Sequence, residues 1–128
     1  MKKAAKKTCD SLWSDCIKAR AGYKSEILNK KAGKQIGGDS TLHAHHIAGK
    51  PNYRLRYELD NGICLTSGEH KFGIHNQGRQ KEYEEHIKKA KGGDIFERME
   101  ALKWQTTSGG LELVKLYLEQ ELKKLQGG

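Results

Sequence analysis

Histidines are concentrated in one stretch of the 128-residue chain, between residues 42 and 75. Five of the six histidines lie there: His43, His45, His46, His70 and His75. A lone histidine is more often a satisfied polar residue than a metal ligand, but four on elements that pack side by side reverse that expectation. The stretch also holds the only proline, Pro51, and an Asn61-Gly62 pair. We interpret it as a site that brings a metal and a base together.

Short apolar segments predict the order strand, long loop, strand, helix for this stretch. Residues 41–47 form the first predicted strand and residues 63–65 the second. Ser67 can cap a helix that carries His70 in its first turn. Because neighbouring side chains of a strand point to opposite sides, His45 and His46 can face different partners.

Helical patterns are predicted before and after this stretch. Asp10 or Ser11 can cap a helix over about residues 10–21, and Gly22 can end it. Residues 1–8 are expected to form a loose basic arm or a frayed terminus. Residues 23–40 are polar and rich in glycine, which indicates a loop.

Three helices are predicted in the last part of the chain. One covers residues 80–90 and ends at Gly92-Gly93, a second is capped by Asp94, and a third covers residues 111–125. The third carries an apolar stripe, formed by Leu111, Val114, Leu118, Leu122 and Leu125. Such a stripe is normally core, although it can also be a dimer face. We therefore expect one α+β domain over residues 1–128, with its core at about 41–77 and a helical part at about 78–126.

Composition narrows the class of protein. The net charge is +8 and the pI about 9.4, which favours a polyanion such as nucleic acid over mere solubility. An odd, sparse set of three cysteines does not resemble a disulfide framework, and a reducing cytoplasm fits it. Cys9 and Cys16 are expected to be small buried hydrophobes. No run is apolar enough for a membrane span, and the basic start lacks the apolar segment of a signal peptide.

Hydrolysis of a phosphodiester is the chemistry that such histidines can support. It requires an activated water, a counter-charge for the phosphorane oxygens and help for the leaving 3′ oxygen. One divalent metal can supply the last two, and a neutral histidine the first. His70 can close a metal site that begins at the first strand, and His75 can reach it if the helix loosens at Gly73. His43 alternates with His45, and is either a supporting group or a surface residue.

These residues resemble the motif of the HNH endonucleases, which have a ββα-metal (treble-clef-like) core with a short antiparallel hairpin. The matching residues are His45-His46-Ile47, Gly49, Arg56, Asn61-Gly62-Ile63, Leu65, His70 and His75. The chain is most similar to the small phage and prophage HNH proteins. The likeness covers most of residues 9–125, including a helix before the core and about three helices after it.

The resemblance implies a role for each matching residue. His46 takes the place of the general base, and Asn61 that of the middle asparagine, whose amide pins the loop bearing the base. His45 and His70 take the places of metal ligands. His75 resembles the third ligand of members such as the colicin DNases, where the spacing is one residue shorter.

Basic residues complete the implied site. Arg56 matches an arginine that is frequent in the phage proteins, where it can contact the scissile phosphate; the alternative is a surface arginine on a basic loop. Lys50, Arg54 and Lys71 are further candidates for contact with nucleic-acid phosphates.

The chain departs from its relatives at two Cys-x-x-Cys pairs, which often hold a structural zinc. The corresponding residues here are Tyr23-Lys24-Ser25-Glu26 and Thr66-Ser67-Gly68-Glu69. All four cysteines are replaced, so we expect no structural zinc and expect packing or hydrogen bonds in its place.

The sequence thus predicts a metal-dependent endonuclease or nickase that acts on DNA, double-stranded and with low sequence specificity. Zn²⁺, Ni²⁺ or Co²⁺ suit tight binding to histidines, whereas turnover can require Mg²⁺ or Mn²⁺. Two alternatives stay open. One is a DNA-binding module on the same fold without activity, and the other is an interaction protein, for example in phage packaging, whose C-terminal helix docks on a second copy or on a phage protein.

Overall fold

The computed structural model describes residues 2–26, 42–48, 53–66, 80–104 and 110–127. Within these ranges it contains five α-helices, two strands and one 3-10 turn. In chain order they are α1 (Lys2–Arg20), β1 (Leu42–His46), α2 (Tyr53–Arg56), the 3-10 turn (Leu59–Asn61), β2 (Gly62–Thr66), α3 (Gln80–Lys91), α4 (Ile95–Leu102) and α5 (Leu111–Leu125). The fold class is α+β, as predicted.

The two strands pair antiparallel, and both lie where the apolar segments predicted them. Leu42 pairs with Thr66 at one end and His46 pairs with Gly62 at the other. Every residue of β2 is buried, so this strand has a packed layer on both sides. Cys64 faces one layer, while Ile63 and Leu65 face the other. The connection between the strands contains α2 and the 3-10 turn, where the sequence had indicated only a loop.

The first layer is formed by α1 and α5, which run parallel. The thiol of Cys9 donates to the carbonyl of Leu111, and that of Cys16 to the carbonyl of Leu118, both at 3.4 Å. Two contacts with the same sequence offset show that the helices run in the same direction. Burial raises the pKa of Cys16 to about 11, with a smaller contribution from Asp15, so this thiol stays neutral. Both cysteines are buried packing residues, as expected.

The apolar stripe of α5 lies against α1 and is core over Leu111, Val114, Leu118 and Leu122, whereas its last member, Leu125, is exposed. Leu118 is fully buried, and Leu111, Val114 and Leu122 pack around the same cluster. The other side of α5 is different in character, because it exposes Leu113, Leu116 and Tyr117.

The prediction for the start of α1 was wrong. The helix begins at Lys2 rather than near residue 10, and the expected loose arm forms its first turns. Alanine and lysine are strong helix formers, and no glycine or proline interrupts the segment. Asp10 therefore lies inside the helix rather than capping it.

The end of α1 is as predicted. Gly22 has a φ of +68°, and its N–H donates to the carbonyl of Ala19, while Tyr23 N–H donates to that of Lys18. This pair of hydrogen bonds is the Schellman arrangement, which requires a left-handed residue after the helix.

The second layer packs α3, α4 and α2 against the other side of the sheet. Its buried residues are Leu55, Ile63, Leu65, Ile87, Ile95 and Met99. Gly92, with a φ of +108°, separates α3 from α4 as predicted. Asp94 occupies the N-cap position of α4, as predicted, but its side chain makes no capping hydrogen bond and accepts from Arg98 instead.

Glu26 connects the segment after α1 to β2 and α3. Its N–H donates to the carbonyl of Cys64, and its carboxylate accepts from the N–H of Cys64 and from the ammonium of Lys91. The carboxylate and the ammonium are both largely buried. Hydrogen bonds and one ion pair therefore hold this segment to the sheet.

Gly62 marks the closest approach of α1 to the sheet. A Cβ atom built at this position would lie 2.3 Å from Cδ1 of Ile17 and 2.8 Å from Cζ2 of Trp13. The backbone at Gly62 is extended, with a φ of −121°, so space rather than conformation requires glycine here. The guanidinium of Arg20 adds a polar contact, because it donates to the carbonyls of Leu59 and Gly62.

We expect Gly62→Ala to lower the free energy of unfolding by about 1–3 kcal/mol, because the added methyl group overpacks the interface between α1 and β2. Gly93→Ala is the matched control, since a Cβ at Gly93 meets no atom within 4 Å. Urea unfolding followed by circular dichroism measures both. Equal stability of the two variants would show that α1 can move away from the strand without cost.

Candidate active site

His46 lies at the end of β1, where three contacts define its position. Its ring is stacked on the indole of Trp13, with centroids 3.9 Å apart and planes 3° from parallel. Its Nε2 lies 3.0 Å from the backbone carbonyl oxygen of Arg56. Gly62 is its partner across the sheet. A carbonyl oxygen can only accept, so Nε2 carries the hydrogen, and the neutral ring has its lone pair on Nδ1.

Trp13 is a site residue that sequence reasoning missed. The helical spacing of Leu12, Trp13, Cys16 and Ile17 predicts an apolar face, and Trp13 lies on it, with only 3% of the residue exposed. Its Nε1–H donates to the carbonyl of Glu58 at 3.0 Å, which fixes the indole against the connection between the strands. Trp13 and His46 are too far apart in sequence for any local spacing to reveal the stack.

Asn61 holds together the backbone around the candidate base. It is fully buried. Its Oδ1 accepts from the N–H of Ala48 at 2.7 Å, and its Nδ2 donates to the carbonyls of Leu55 at 2.9 Å and Ala48 at 3.3 Å. The carbonyl of Asn61 also accepts from Ile47 N–H. The amide thus connects the segment that follows His46 to α2, in the way that the motif implied.

His45 and His43 belong to the opposite side of β1. They pair with Ile63 and Leu65, the two β2 residues that face the second layer. Both histidines are half-buried. The structure therefore separates His45 from the stacked His46, as the alternation of a strand predicted.

Four of the predicted site residues lie outside the described residues: Lys50, His70, Lys71 and His75. Within the described residues, no three side chains of the metal-binding types form a group that could hold an ion. The predicted ligand set of His45, His70 and His75 therefore stays a prediction.

Arg56 is engaged in an ion pair that the sequence did not predict. Its Nε and Nη2 donate to the two carboxylate oxygens of Asp10, at 2.8 and 2.7 Å. The guanidinium also lies 5.8 Å from the ring centroid of Tyr57. Arg54 is likewise paired, with Glu58 at 2.8 Å. A phosphate that contacts either arginine must compete with its carboxylate.

The electrostatics of this pair are strongly coupled. Burial alone would raise the pKa of Asp10, but hydrogen bonds and charge from Arg56 outweigh it and hold the pKa below its ordinary value. The hydrogen bond to Asp10 raises the pKa of Arg56, which stays charged. Burial, and next the charge of Asp10, raise the pKa of Tyr57 to about 12, so its hydroxyl stays protonated.

Comparisons of the chain with protein-family models, with curated proteins and with solved structures found no match in any of the three. None of the helices that the structure describes is both long enough and apolar enough to cross a membrane.

We expect Asp10→Asn to lower the free energy of unfolding at pH 7 by about 1 kcal/mol, since Asp10 is partly exposed and water screens the pair. The folded state lowers the pKa of Asp10, so the carboxylate contributes its full stabilisation above the unfolded value of 3.8. That contribution is lost as the pH falls through the folded pKa.

The measurement is urea unfolding of the wild type and of Asp10→Asn between pH 7 and pH 2. The stability difference between the two proteins should shrink below about pH 4. Glu97→Gln is the control, because Glu97 is an exposed acid of α4. A stability difference that stays constant down to pH 2 would contradict the conclusion that the ion pair with Arg56 lowers the pKa of Asp10.

Proposed function

We propose that the protein is a metal-dependent DNA endonuclease or nickase of the HNH (ββα-metal) type, with His46 as its general base. One observation carries the proposal. The histidine at the motif's base position is fixed in plane by Trp13 and bonded through Nε2 to a backbone carbonyl, which leaves Nδ1 as the basic nitrogen.

In the proposed reaction, His46 Nδ1 takes a proton from water as the water oxygen attacks phosphorus. The bond to the 3′ oxygen breaks, which gives 5′-phosphate and 3′-hydroxyl ends as the family resemblance implies. Asn61 contributes by position rather than chemistry, because its amide holds the backbone at Ala48 and Leu55, which follow the proposed base in the chain. General-base catalysis of this kind typically contributes about 10²–10⁴-fold in rate.

The donor chemistry fits a divalent metal, which His45, His70 and His75 would hold. His45 lies on the other side of β1 from the stacked base, so a ligand and a base can act from adjacent positions. When bound, the ion supplies positive charge for the phosphorane oxygens and the leaving oxygen. Imidazole ligands suit Zn²⁺, Ni²⁺ or Co²⁺, and Mg²⁺ or Mn²⁺ are candidates for turnover.

Double-stranded DNA is the proposed substrate, bound mainly through phosphates and with low sequence specificity. The net charge of +8 supports this, and Lys50, Arg54, Arg56 and Lys71 are the proposed contacts. The three cysteines are free thiols, which suits a reducing compartment such as the cytoplasm.

A protein that binds without cutting is the second candidate. The observation in its favour is the side of α5 that exposes Leu113, Leu116 and Tyr117, on the helix that could dock on a second copy or a phage protein. The pairing of Arg56 with Asp10 also suits a structural role for that arginine. This candidate predicts DNA binding without nicking.

The test is a supercoiled-plasmid assay with protein that has been stripped by EDTA and reloaded in turn with Mg²⁺, Mn²⁺, Ni²⁺ and Zn²⁺. We expect at least one metal to restore nicking, and His46→Ala to reduce the rate by about 10²-fold or more. DNA affinity in a gel-shift assay should be unchanged, because His46 acts on water rather than on phosphate.

His86→Ala is the matched control, since His86 lies on α3 and is not one of the motif's residues. It should nick at the wild-type rate with the same metal. If no metal restores nicking while the protein still shifts DNA, the second candidate replaces the nuclease.

A further inference from the structure

We infer that Trp13 of α1 is the positioning residue of the base: its indole face sets the plane of the His46 ring and thereby aims Nδ1. The inference rests on the proposed function. It assigns to α1, which lies outside the histidine-rich stretch, a part in the reaction beyond packing.

The stack on Trp13 opposes one motion of the His46 ring. The hydrogen bond from Nε2 to the carbonyl of Arg56 anchors one corner of the ring. A ring held at one corner can still turn about that bond, which would swing Nδ1 out of line. The flat contact with the indole, at 3.9 Å and 3°, removes that rotation. A misplacement of about 1 Å can cost on the order of 10²-fold in rate, so such a constraint matters for catalysis.

Trp13 is itself held on two sides. Its Nε1–H donates to the carbonyl of Glu58, which anchors the edge of the indole. A Cβ atom at residue 62 would lie only 2.8 Å from Cζ2 of Trp13, so the glycine at this position makes room for the indole ring. Gly62 is also the cross-strand partner of His46. The indole therefore lies over both residues of this pair.

The geometry is more specific than core packing demands. Apolar burial has no preferred angle, and aromatic pairs in general also adopt edge-to-face arrangements. A leucine could fill much of the same space, but it has no flat face. Core packing and positioning of His46 are the two explanations for Trp13. They predict different effects on kcat when a flat side chain and a side chain without a flat face replace the indole.

The experiment compares Trp13→Phe with Trp13→Leu in the full chain, using the metal that supports nicking. Phenylalanine keeps a flat face but loses the N–H, whereas leucine keeps apolar bulk without a face. We expect Trp13→Leu to lower kcat by about 10–100-fold with KM within about twofold. Trp13→Phe should keep kcat within about fivefold of the wild type.

Ile17→Val is the matched control for a weakened core. Ile17 is a buried residue of the same helix and also approaches Gly62. It should lose stability without loss of kcat. Circular dichroism at the assay temperature establishes folding, and Trp13→Met replaces Trp13→Leu, with the same expectation, if the leucine variant does not fold.

A spectroscopic readout tests the stack without any cleavage. The ring current of an indole lying flat on an imidazole shifts the imidazole protons upfield. We expect the His46 ring protons to move downfield in Trp13→Leu and to keep most of their shift in Trp13→Phe. His45, on the other side of β1, is the internal reference and should not move.

The outcomes separate this inference from the proposed function. If the wild type nicks DNA but folded Trp13→Leu has an unchanged kcat, or if its His46 protons do not move, the positioning role is wrong and the nuclease stands. If the wild type nicks with none of the metals, the nuclease is wrong, and the positioning role falls with it.

Discussion

The buried amide of Asn61 is the interaction on which the candidate site depends. Strand β1 ends at His46, and beyond Ile47, whose N–H still donates to the carbonyl of Asn61, the backbone leaves its strand partners. Asn61 supplies replacements, accepting from Ala48 N–H and donating to the carbonyls of Ala48 and Leu55. A buried backbone group without a partner costs about 1–3 kcal/mol. One side chain thus sets the path of the chain that follows His46, and Gly62 beside it admits the helix that carries Trp13.

Local patterns in the sequence predicted the elements better than the contacts between them. The strands, the stop at Gly22 and the helix at 111–125 were all marked by apolar spacing or by glycine. The start of α1 was misjudged because Asp10 has the chemistry of a cap, while its actual partner, Arg56, is distant in the chain. Asp94 does lie at the N-cap position of α4, but its carboxylate takes a side-chain donor instead of the helix N–H groups.

Within the candidate site, the motif predicted the residues that lie on the strand pair and its connection. It missed the residues that reach the site only because separate elements pack together. His46 and Asn61 lie on adjacent elements, so their spacing carried the signal. Trp13 reaches His46 only because α1 crosses the sheet at Gly62, and no periodicity within α1 encodes that crossing. The same holds for Glu26, whose hydrogen bonds to Cys64 and ion pair with Lys91 join three separate segments.

The parallel pairing of α1 and α5 has a consequence for the order of folding. The thiols of Cys9 and Cys16 contact carbonyls 102 residues later in the chain. During synthesis, α1 emerges long before its packing partner α5. Closing so long a loop is slow, and α1 carries Trp13. We therefore expect the stack of Trp13 on His46 to be completed only after α5 has left the ribosome, so nascent chains that stop before residue 111 contain the histidine motif without a packed α1.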